Sequence, residues 1–565
     1  MGFNYPVWDA ALIDYFDREF VWDAITDGVD IGWIDGATPT RVFAPYLKSS
    51  QQEQLDTTYW LVDKHKLGIL LGPFTEETCP FPDVVYSPLF TVPKPDGKRR
   101  IVAHLSYPTW GVSVNDCINE DAKAVQYILF TQVAEFVYNL GYDARLWVVD
   151  AKDAYYRIPI KRKYWKYMGI KWFGLIFIFT SLQMGLGSAC AIYQRFADAV
   201  LYIIRTHHMA LFTAIGGGTL IHHYLDDFFG GHSNSQMSLY QILVVYFWFW
   251  WLGIPTKWKK LKWPHWRQII LGWLYDTRRQ TVSLPEQKVI TYTKYVTDLI
   301  RGRDRGVGKK QLEVVIGCLE HAAVAVFPGK AKLRHLQHAL HVETMNYEDK
   351  IRLSDVAINE LKWWLVALKY MNGIPLTWIF CSPSHFHDVA WSDAALKGEL
   401  KVGGMGGCTK SGMAYQIDNK QTIVYLVSLI RAGVDIKLME MVAVFILFVQ
   451  FAPQWQFKNV KFYCDNKTVV SSLANRRAPL KRRDLHYFVD KIFELSAQYH
   501  FRFWIEHLDG DDNVMADRLS RFKKLYIVDQ MDPNEFQYLS NLTVVKVVND
   551  AFNDLLDFQR VPLNG

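Results

Sequence analysis

Hydrophobic and polar positions along the chain follow several rhythms, and the rhythm changes near residue 388. Phe90-Thr-Val and Ile101-Val102 are β-rich runs flanking Lys94-Pro-Asp-Gly-Lys98-Arg99-Arg100. Pro-Asp-Gly is turn chemistry, so residues 86–118 predict paired strands whose tip and descending arm carry Lys94, Lys98, Arg99 and Arg100. Leu146–Val149 reads as a buried strand that delivers Asp150 at its end. Met184-Gly-Leu-Gly-Ser is a small-residue turn entering a helix that the pattern carries to about Val200. Residues 219–230 are apolar and aromatic, broken by Asp226-Asp227 and bounded by glycines 216–218 and 230–231, which predicts strand, tight turn, strand.

Residues 240–252 predict a buried helix, and 257–263 are basic with interleaved Trp. From 284 to 372 basic loops alternate with helical patterns. The last of these runs 354–370 and ends at Asn372-Gly373. Residues 374–387, with Pro375 and Pro383, read as a linker. Strands are then expected at Val389–Trp391, around Gly403–Gly407, at Val460–Cys464 and at Phe501–Ile505. Helices are expected around Met439–Phe451 and from Asn513. Acids at strand ends within such an alternation predict an α/β domain.

Composition narrows the picture modestly. The chain has 565 residues, of which 50% are hydrophobic and 21% charged, so it buries sizeable cores and is not globally disordered. Its formal net charge of +6 permits a polyanionic partner without demanding one. Seven scattered Cys with no CxxC pair argue against a disulfide framework and against a zinc site, and fit a reducing, intracellular setting, cytoplasmic or nuclear. No secretory signal is evident at the N-terminus. The apolar runs Ile242–Ile254 and Met441–Val449 fall short of the ~20 residues that span a bilayer, so no membrane partner is expected.

Asp150, Asp226 and Asp227 end apolar strand patterns. Burying several carboxylates together is costly unless a cation joins them, and hard oxygen donors suit Mg²⁺. Two such ions ~3.5–4 Å apart can activate a hydroxyl and stabilise a leaving pyrophosphate. An adjacent Asp-Asp pair on its own also reads as turn punctuation. Asp393, Glu440, Asp465 and Asp517 form a second set, drawn from four separated segments, with His507 ten positions before Asp517. Their convergence would again require divalent metal, here for phosphodiester hydrolysis. A loop histidine with a near-neutral pKa can relay protons.

Phe90–Ser106, Val149–Ile160, Gln183–Gln194 and Tyr224-Leu-Asp-Asp227 resemble, in order and spacing, the finger and palm motifs of reverse transcriptases. The resemblance implies that Asp150, Asp226 and Asp227 are metal-binding catalytic residues. It implies that Tyr155 excludes a ribose 2′-OH and so selects dNTPs, and that Arg100, with Lys94 more loosely, contacts the incoming triphosphate. Gln183-Met184-Gly185 matches the nucleotide-pocket turn, where Met184 departs from the residue types the family favours. Lys260 matches a motif lysine near the leaving group or is a plain surface lysine. Trp258, Trp263 and Trp266 could stack on bases, although core packing is the stronger expectation.

Trp391-Ser-Asp393-Ala-Ala, Met439-Glu440-Met, Cys464-Asp465-Asn466 and Asn513 through Asp517-Arg-Leu-Ser-Arg521 resemble RNase H. That implies nuclease action on the RNA strand of RNA–DNA hybrids by Asp393, Glu440, Asp465, Asp517 and His507. Arg476-Arg477 and Lys481-Arg482-Arg483 either grip the hybrid backbone or form a solvated loop. Val102-Ala-His-Leu-Ser-Tyr-Pro108, Ser113-Val-Asn-Asp116, His223 through Asp227 and Phe327-Pro-Gly-Lys330 resemble DIRS-like tyrosine-recombinase retrotransposons.

The expected fold is therefore an α+β right-hand polymerase (fingers, palm, thumb) with a connection and a C-terminal α/β RNase H-like domain. The expected boundaries are 1–85 for an N-terminal extension and the start of fingers, 86–240 for fingers and palm, 241–385 for thumb and connection, 386–525 for RNase H, and 526–565 for a tail. The expected partners are an RNA template, a DNA primer, the RNA–DNA hybrid and dNTPs, with two Mg²⁺ per active site and Mn²⁺ as a substitute. The alternatives are a domesticated, non-catalytic nucleic-acid-binding protein and an RNA-dependent RNA polymerase, which Tyr155 and the RNase H motifs oppose.

Overall fold

The computed structural model describes residues 2–42, 51–93, 99–214, 221–342, 350–380, 386–395, 404–417, 435–479, 481–521 and 537–538. Lys94, Lys98, Gly216–Gly218 and nearly all of 526–565 lie outside these. Two compact units divide the chain, Met1–Thr281 and Val282–Gly565.

In the first unit the helices α1 (Tyr5–Ala11) and α2 (Arg18–Thr26) precede α3 (Gln51–Lys66). The predicted hairpin forms from β1 (Leu89–Pro93) and β2 (Arg99–Ala103), paired antiparallel from Leu89↔Ala103 to Pro93↔Arg99. The strand predicted before Asp150 is β3 (Arg145–Asp150), and its four central side chains, Leu146–Val149, are all buried. The helix entered through the Met184 turn is α4 (Ala189–Ala214), which continues 14 residues beyond Val200. The apolar pattern persists through Leu201, Ile203 and Ile204, all buried, so nothing stops the helix where the sequence reading ended it.

β4 (Ile221–Tyr224) and β5 (Asp227–His232) form the second hairpin, followed by α5 (Ser235–Leu252) and β6 (Lys262–His265). Asn234 caps α5 by accepting from the Gln236 and Met237 N–H groups at 2.8 and 3.4 Å. Gly253, at φ +82°, ends the helix in a left-handed conformation suited to glycine. The resulting antiparallel sheet has the order β4-β5-β3-β6. Trp8, Val21, Trp147, Val149, Phe228 and Phe249 share one core, and the Trp8 indole donates to the Leu252 carbonyl at 2.9 Å. The N-terminal helices are thus built into the core that supports β3.

The second unit begins helically, with α6 (Glu286–Arg301), α7 (Lys309–Ala322), α8 (Arg334–Val342) and α9 (Asp355–Tyr370). Ser354 caps α9 by accepting from Ala357 N–H at 3.3 Å, as its position before the apolar repeat predicts. The expected linker is partly structured, with a two-residue strand at Ile374–Pro375 and a short helix at Thr377–Phe380.

A six-stranded mixed sheet follows. Its strands are β7 (Asp388–Ala394), β8 (Met405–Thr409), β9 (Met413–Gln416), β10 (Asn459–Cys464), β11 (Arg502–His507) and a two-residue strand at Gln537–Tyr538. The order is β11-β10-β7-β8-β9 with Gln537–Tyr538 at the edge. β7 is antiparallel to β8 and parallel to β10, and β10 is parallel to β11. The helices of this part are α10 (Ile436–Phe451), α11 (Lys467–Ala474), α12 (Arg483–Gln498) and α13 (Val514–Ser520). By length and composition Ile436–Trp455 could cross a membrane, yet 72% of its apolar window is buried inside the unit. Phe445, Phe448 and Phe451 of α10 pack with Phe462, Phe488 and Phe501 as a core helix does.

Candidate active sites: two carboxylate clusters

The first cluster is set by strand register. Asp150, the last residue of β3, pairs directly with Asp227, the first of β5, and Asp227 also pairs with Tyr224 across the hairpin. Directly opposed residues in antiparallel strands place their Cα atoms ~4.5–5.5 Å apart. Asp226 occupies the two-residue turn between the strands. Leu225 beside it holds φ +51°, which costs an L side chain on the order of 1–2 kcal/mol. The turn is tied down on both sides. Ala151 N–H donates to the Asp226 carbonyl at 2.9 Å, while buried His223 lies 2.8 Å from Asp198 and 3.3 Å from the Leu225 carbonyl.

The three carboxylates burden one another. Burial, then repulsion from Asp226 and Asp150, pushes Asp227 up to about 6. Burial and Asp150 raise Asp226 as well. Asp150 is partly compensated, since Lys260 Nζ sits 2.7 Å from Oδ2 and Lys257 Nζ 3.2 Å from Oδ1. Lys260 therefore belongs to the cluster. Lys257 was not anticipated as a site residue, although it opens the same basic Trp-bearing motif.

Of the expected pocket residues, Tyr155 lies near enough for Asp226 to act on its hydroxyl. The Tyr155 hydroxyl lies 3.3 Å from Cys190 Sγ, and its ring packs 5.3 Å from that of Tyr193. Burial raises the Tyr155 pKa, and so in lesser degree do Cys190 and Asp226. Gln183 is buried, with its Nε2 3.2 Å from Met168 Sδ and no hydrogen-bond partner for its Oε1 among the described residues. Met184 packs half-buried against the core. Gly185 has φ +107°, and a Cβ there would come within 2.2 Å of the Ala103 carbonyl oxygen, so the turn closes on the end of β2 only with glycine. Asn115 staples the turn, with its Nδ2 donating to the Gly185 carbonyl at 2.9 Å and its Oδ1 accepting from Gly187 N–H at 2.8 Å. Arg100 is exposed on β2.

The expectation of core packing for the tryptophans is overturned at two positions. Trp258, in the short helical turn before β6, and Trp263, in β6 at the sheet edge, are 63% and 62% exposed. Trp258 stacks on Tyr246 at 3.9 Å, and Trp266 is half-buried with the Arg278 guanidinium 4.7 Å from its ring.

The second cluster is assembled from the sheet and two helices. Asp393 comes from β7, Glu440 from α10, Asp465 from the residue after β10, and Asp517 from α13. Close approach of α13 requires Gly406, where a Cβ would fall 2.3 Å from that of Leu519. Asn513 at the head of α13 donates to the Ser392 carbonyl at 3.0 Å. Glu440 is 3% exposed, and burial followed by Asp393 and Asp465 holds its carboxyl well above the usual range. Burial also raises Asp393 and Asp465, and Asp517 adds to both. Ser520 Oγ donates to Asp393, and Arg521 pairs with Asp517. His507 Nε2 lies 3.0 Å from the Asp465 carbonyl. Glu440 Oε2 and Asp465 Oδ1 are buried without a hydrogen-bond partner among the described residues.

Residues 407–523 match the family model described as Reverse transcriptase-like. The match starts within β8 and takes in Glu440, Asp465, His507 and Asp517, while Asp393 precedes it. No curated protein matches the chain. Among solved structures, a foamy viral protease-reverse transcriptase dRH in complex with double-stranded DNA is 15% identical, with a TM-score of 0.46, covering 83% of this chain and 72% of that one. A foamy viral protease-reverse transcriptase in complex with an RNA/DNA hybrid is 13% identical, with a TM-score of 0.43 and coverages of 92% and 86%. A third, with double-stranded DNA, is 15% identical with a TM-score of 0.44, covering 89% of this chain and 96% of that one.

Proposed function

We propose that the chain is a retroelement reverse transcriptase, an RNA- and DNA-directed DNA polymerase with RNase H activity, most like those of DIRS-like elements. The observation that carries the reading is the register match of Asp150 with Asp227 around the Asp226 turn. It gathers three carboxylates whose charges are mutually costly, as a dication site requires and a surface turn does not. The second cluster supports the nuclease half.

The donor sets fit Mg²⁺. All seven acids offer hard oxygen, and three of those oxygens, on Asp150, Glu440 and Asp465, are buried without a hydrogen-bond partner among the described residues. Bound there, two Mg²⁺ per site, or Mn²⁺ in their place, supply charge neutralisation at phosphorus and a lowered pKa for the attacking hydroxyl or water.

The remaining roles fall to side chains. Arg100 and Lys94 bind the triphosphate, and Lys260 lies where it can exchange Asp150 for the leaving phosphate. The Tyr155 ring fills the space of a ribose 2′-OH. Gln183 and Met184 shape the nucleotide pocket. His507 takes or returns the proton of the hydrolytic step beside Asp465. Fingers, palm, thumb, connection and RNase H would occupy the boundaries expected from the sequence. RNA template, DNA primer and hybrid would be held mainly through phosphates, with binding that weakens in salt.

Primer extension on an RNA template with Mg²⁺ and dNTPs tests the reading. Incorporation by the wild type, abolished by Asp226→Asn, is expected. Binding of hybrid without incorporation would favour the domesticated binder. Tyr155→Ala should relax sugar selection, and unchanged ribonucleotide use would remove that assignment.

A further inference from the structure

A third ligand set lies in the second unit, on residues that belong to neither carboxylate cluster. His335 opens α8, Glu360 sits on α9, and His486 sits on α12. Each offers a donor atom, and the three donor atoms lie within 4.8 Å of one another. Glu360 is buried and His486 is 2% exposed. Such a trio is unusual in a helical interface, where apolar side chains would pack at lower cost.

The hydrogen bonds prepare the His486 imidazole as a ligand. His486 Nε2 lies 3.0 Å from the Ala331 carbonyl, which can only accept, so the proton is on Nε2. Its Nδ1 lone pair is buried without a hydrogen-bond partner among the described residues. His335 Nδ1 is 2.8 Å from Glu360 Oε1, and Glu360 is itself oriented by the backbone N–H groups of His335 and Leu336 at 3.1 Å each. A ring nitrogen anchored to a carbonyl, with its other nitrogen unprotonated, is the arrangement that orients a metal-binding histidine, as at His486, whereas His335 Nδ1 and Glu360 would bind by giving up the proton they share. Lys332 is taken up by Asp490 at 2.5 Å and Glu494 at 2.6 Å.

We propose that His335, Glu360 and His486 form a structural site for a divalent transition metal of the zinc class, clasping α8, α9 and α12. Two imidazoles and one carboxylate are a recurrent zinc donor set, and tetrahedral bonds of ~2.0–2.1 Å place neighbouring donors roughly 3.3 Å apart, within reach of small side-chain shifts. Mg²⁺ would not compete, since nitrogen donors disfavour it. The proposal is independent of the polymerase and nuclease reading.

The test uses the full chain, stripped with chelator, dialysed against Zn²⁺ and analysed for bound metal. One zinc per chain is expected, with a rise in unfolding temperature. It should be retained by Asp150→Asn and Asp465→Asn, and its affinity should fall about 100-fold or more in His335→Ala and His486→Ala. His486→Gln keeps a donor for Ala331, and its circular dichroism shows whether the fold survives when zinc is lost. Co²⁺ in place of Zn²⁺ should give visible bands of tetrahedral imidazole ligation in the wild type and not in His486→Gln. Absence of zinc from the wild type, undiminished zinc in folded His486→Gln, or loss of zinc with Asp465→Asn would overturn the proposal.

Discussion

The two carboxylate clusters solve the same electrostatic problem in different ways. Around Asp150 the chain supplies its own cations, Lys257 and Lys260, and the acids sit at the ends of the two central strands β3 and β5 and on the turn that precedes β5. Around Glu440 no lysine pairs with the acids among the described residues. The acids come from the sheet interior and two covering helices, and Ser520 and Arg521 engage only Asp393 and Asp517. Glu440 consequently carries the larger penalty. The difference teaches that one cluster can rest without a metal at modest cost, whereas the other stores more repulsion for a dication to relieve.

Ranked by expected size, the sharpest way to break the comparison is to remove one acid from each cluster. Asp150→Asn should lower primer extension about 100-fold or more while hybrid cleavage persists, and Asp465→Asn should do the reverse. Loss of both activities in either variant would show misfolding instead of separate sites. Next, carboxylates that repel in the metal-free protein should become assets when neutralised. In chelator, Glu440→Gln and Asp227→Asn should each stabilise the fold by about 1–3 kcal/mol, read from denaturant midpoints, with the larger gain for Glu440→Gln. Equal or opposite effects would erase the distinction drawn above.

The pH dependence follows with a definite sign. Folded Asp227 holds its proton up to about 6, whereas an unfolded aspartate releases it near ~3.9. Between those values the folded state binds more protons, so metal-free stability should fall as pH rises through that window. Asp227→Asn should flatten this slope. Mg²⁺ at ten times its Kd should add about 1.4 kcal/mol, and Asp465→Asn should reduce that gain. The smallest effect belongs to Lys260→Ala. Its side chain is largely exposed, so loss of the pairing should cost about 0.2–1 kcal/mol in chelator and leave hybrid cleavage unchanged.

Local order was widely legible. Pro-Asp-Gly between β-rich runs announced the β1–β2 hairpin, the apolar run before Asp150 announced β3, and Ser354 with Asn372-Gly373 bounded α9. Such signals are local, since turn residues and caps satisfy backbone groups within a few positions. The carboxylates were legible as candidates because acids at the ends of apolar strands demand an explanation. Trp258 and Trp263 were misjudged because aromatic size suggests burial, whereas Trp263 sits in β6 at a sheet edge and Trp258 in the short turn before it. Helix α4 outran its predicted end because periodic apolar residues continued and no breaker intervened.

Sequence alone therefore determined the kinds of element, the acids that end them and the positions where only glycine or a capping side chain would serve, because those are short-range properties of the backbone. Tertiary structure decided which of these met. Strand register set Asp150 against Asp227, basic residues bent back onto Asp150, and α13 could settle against Gly406. His335, Glu360 and His486, scattered through patterns that as sequence read only as helix, converged because three helices share one interface. Convergence is a property of packing and register, which no local window of the chain contains.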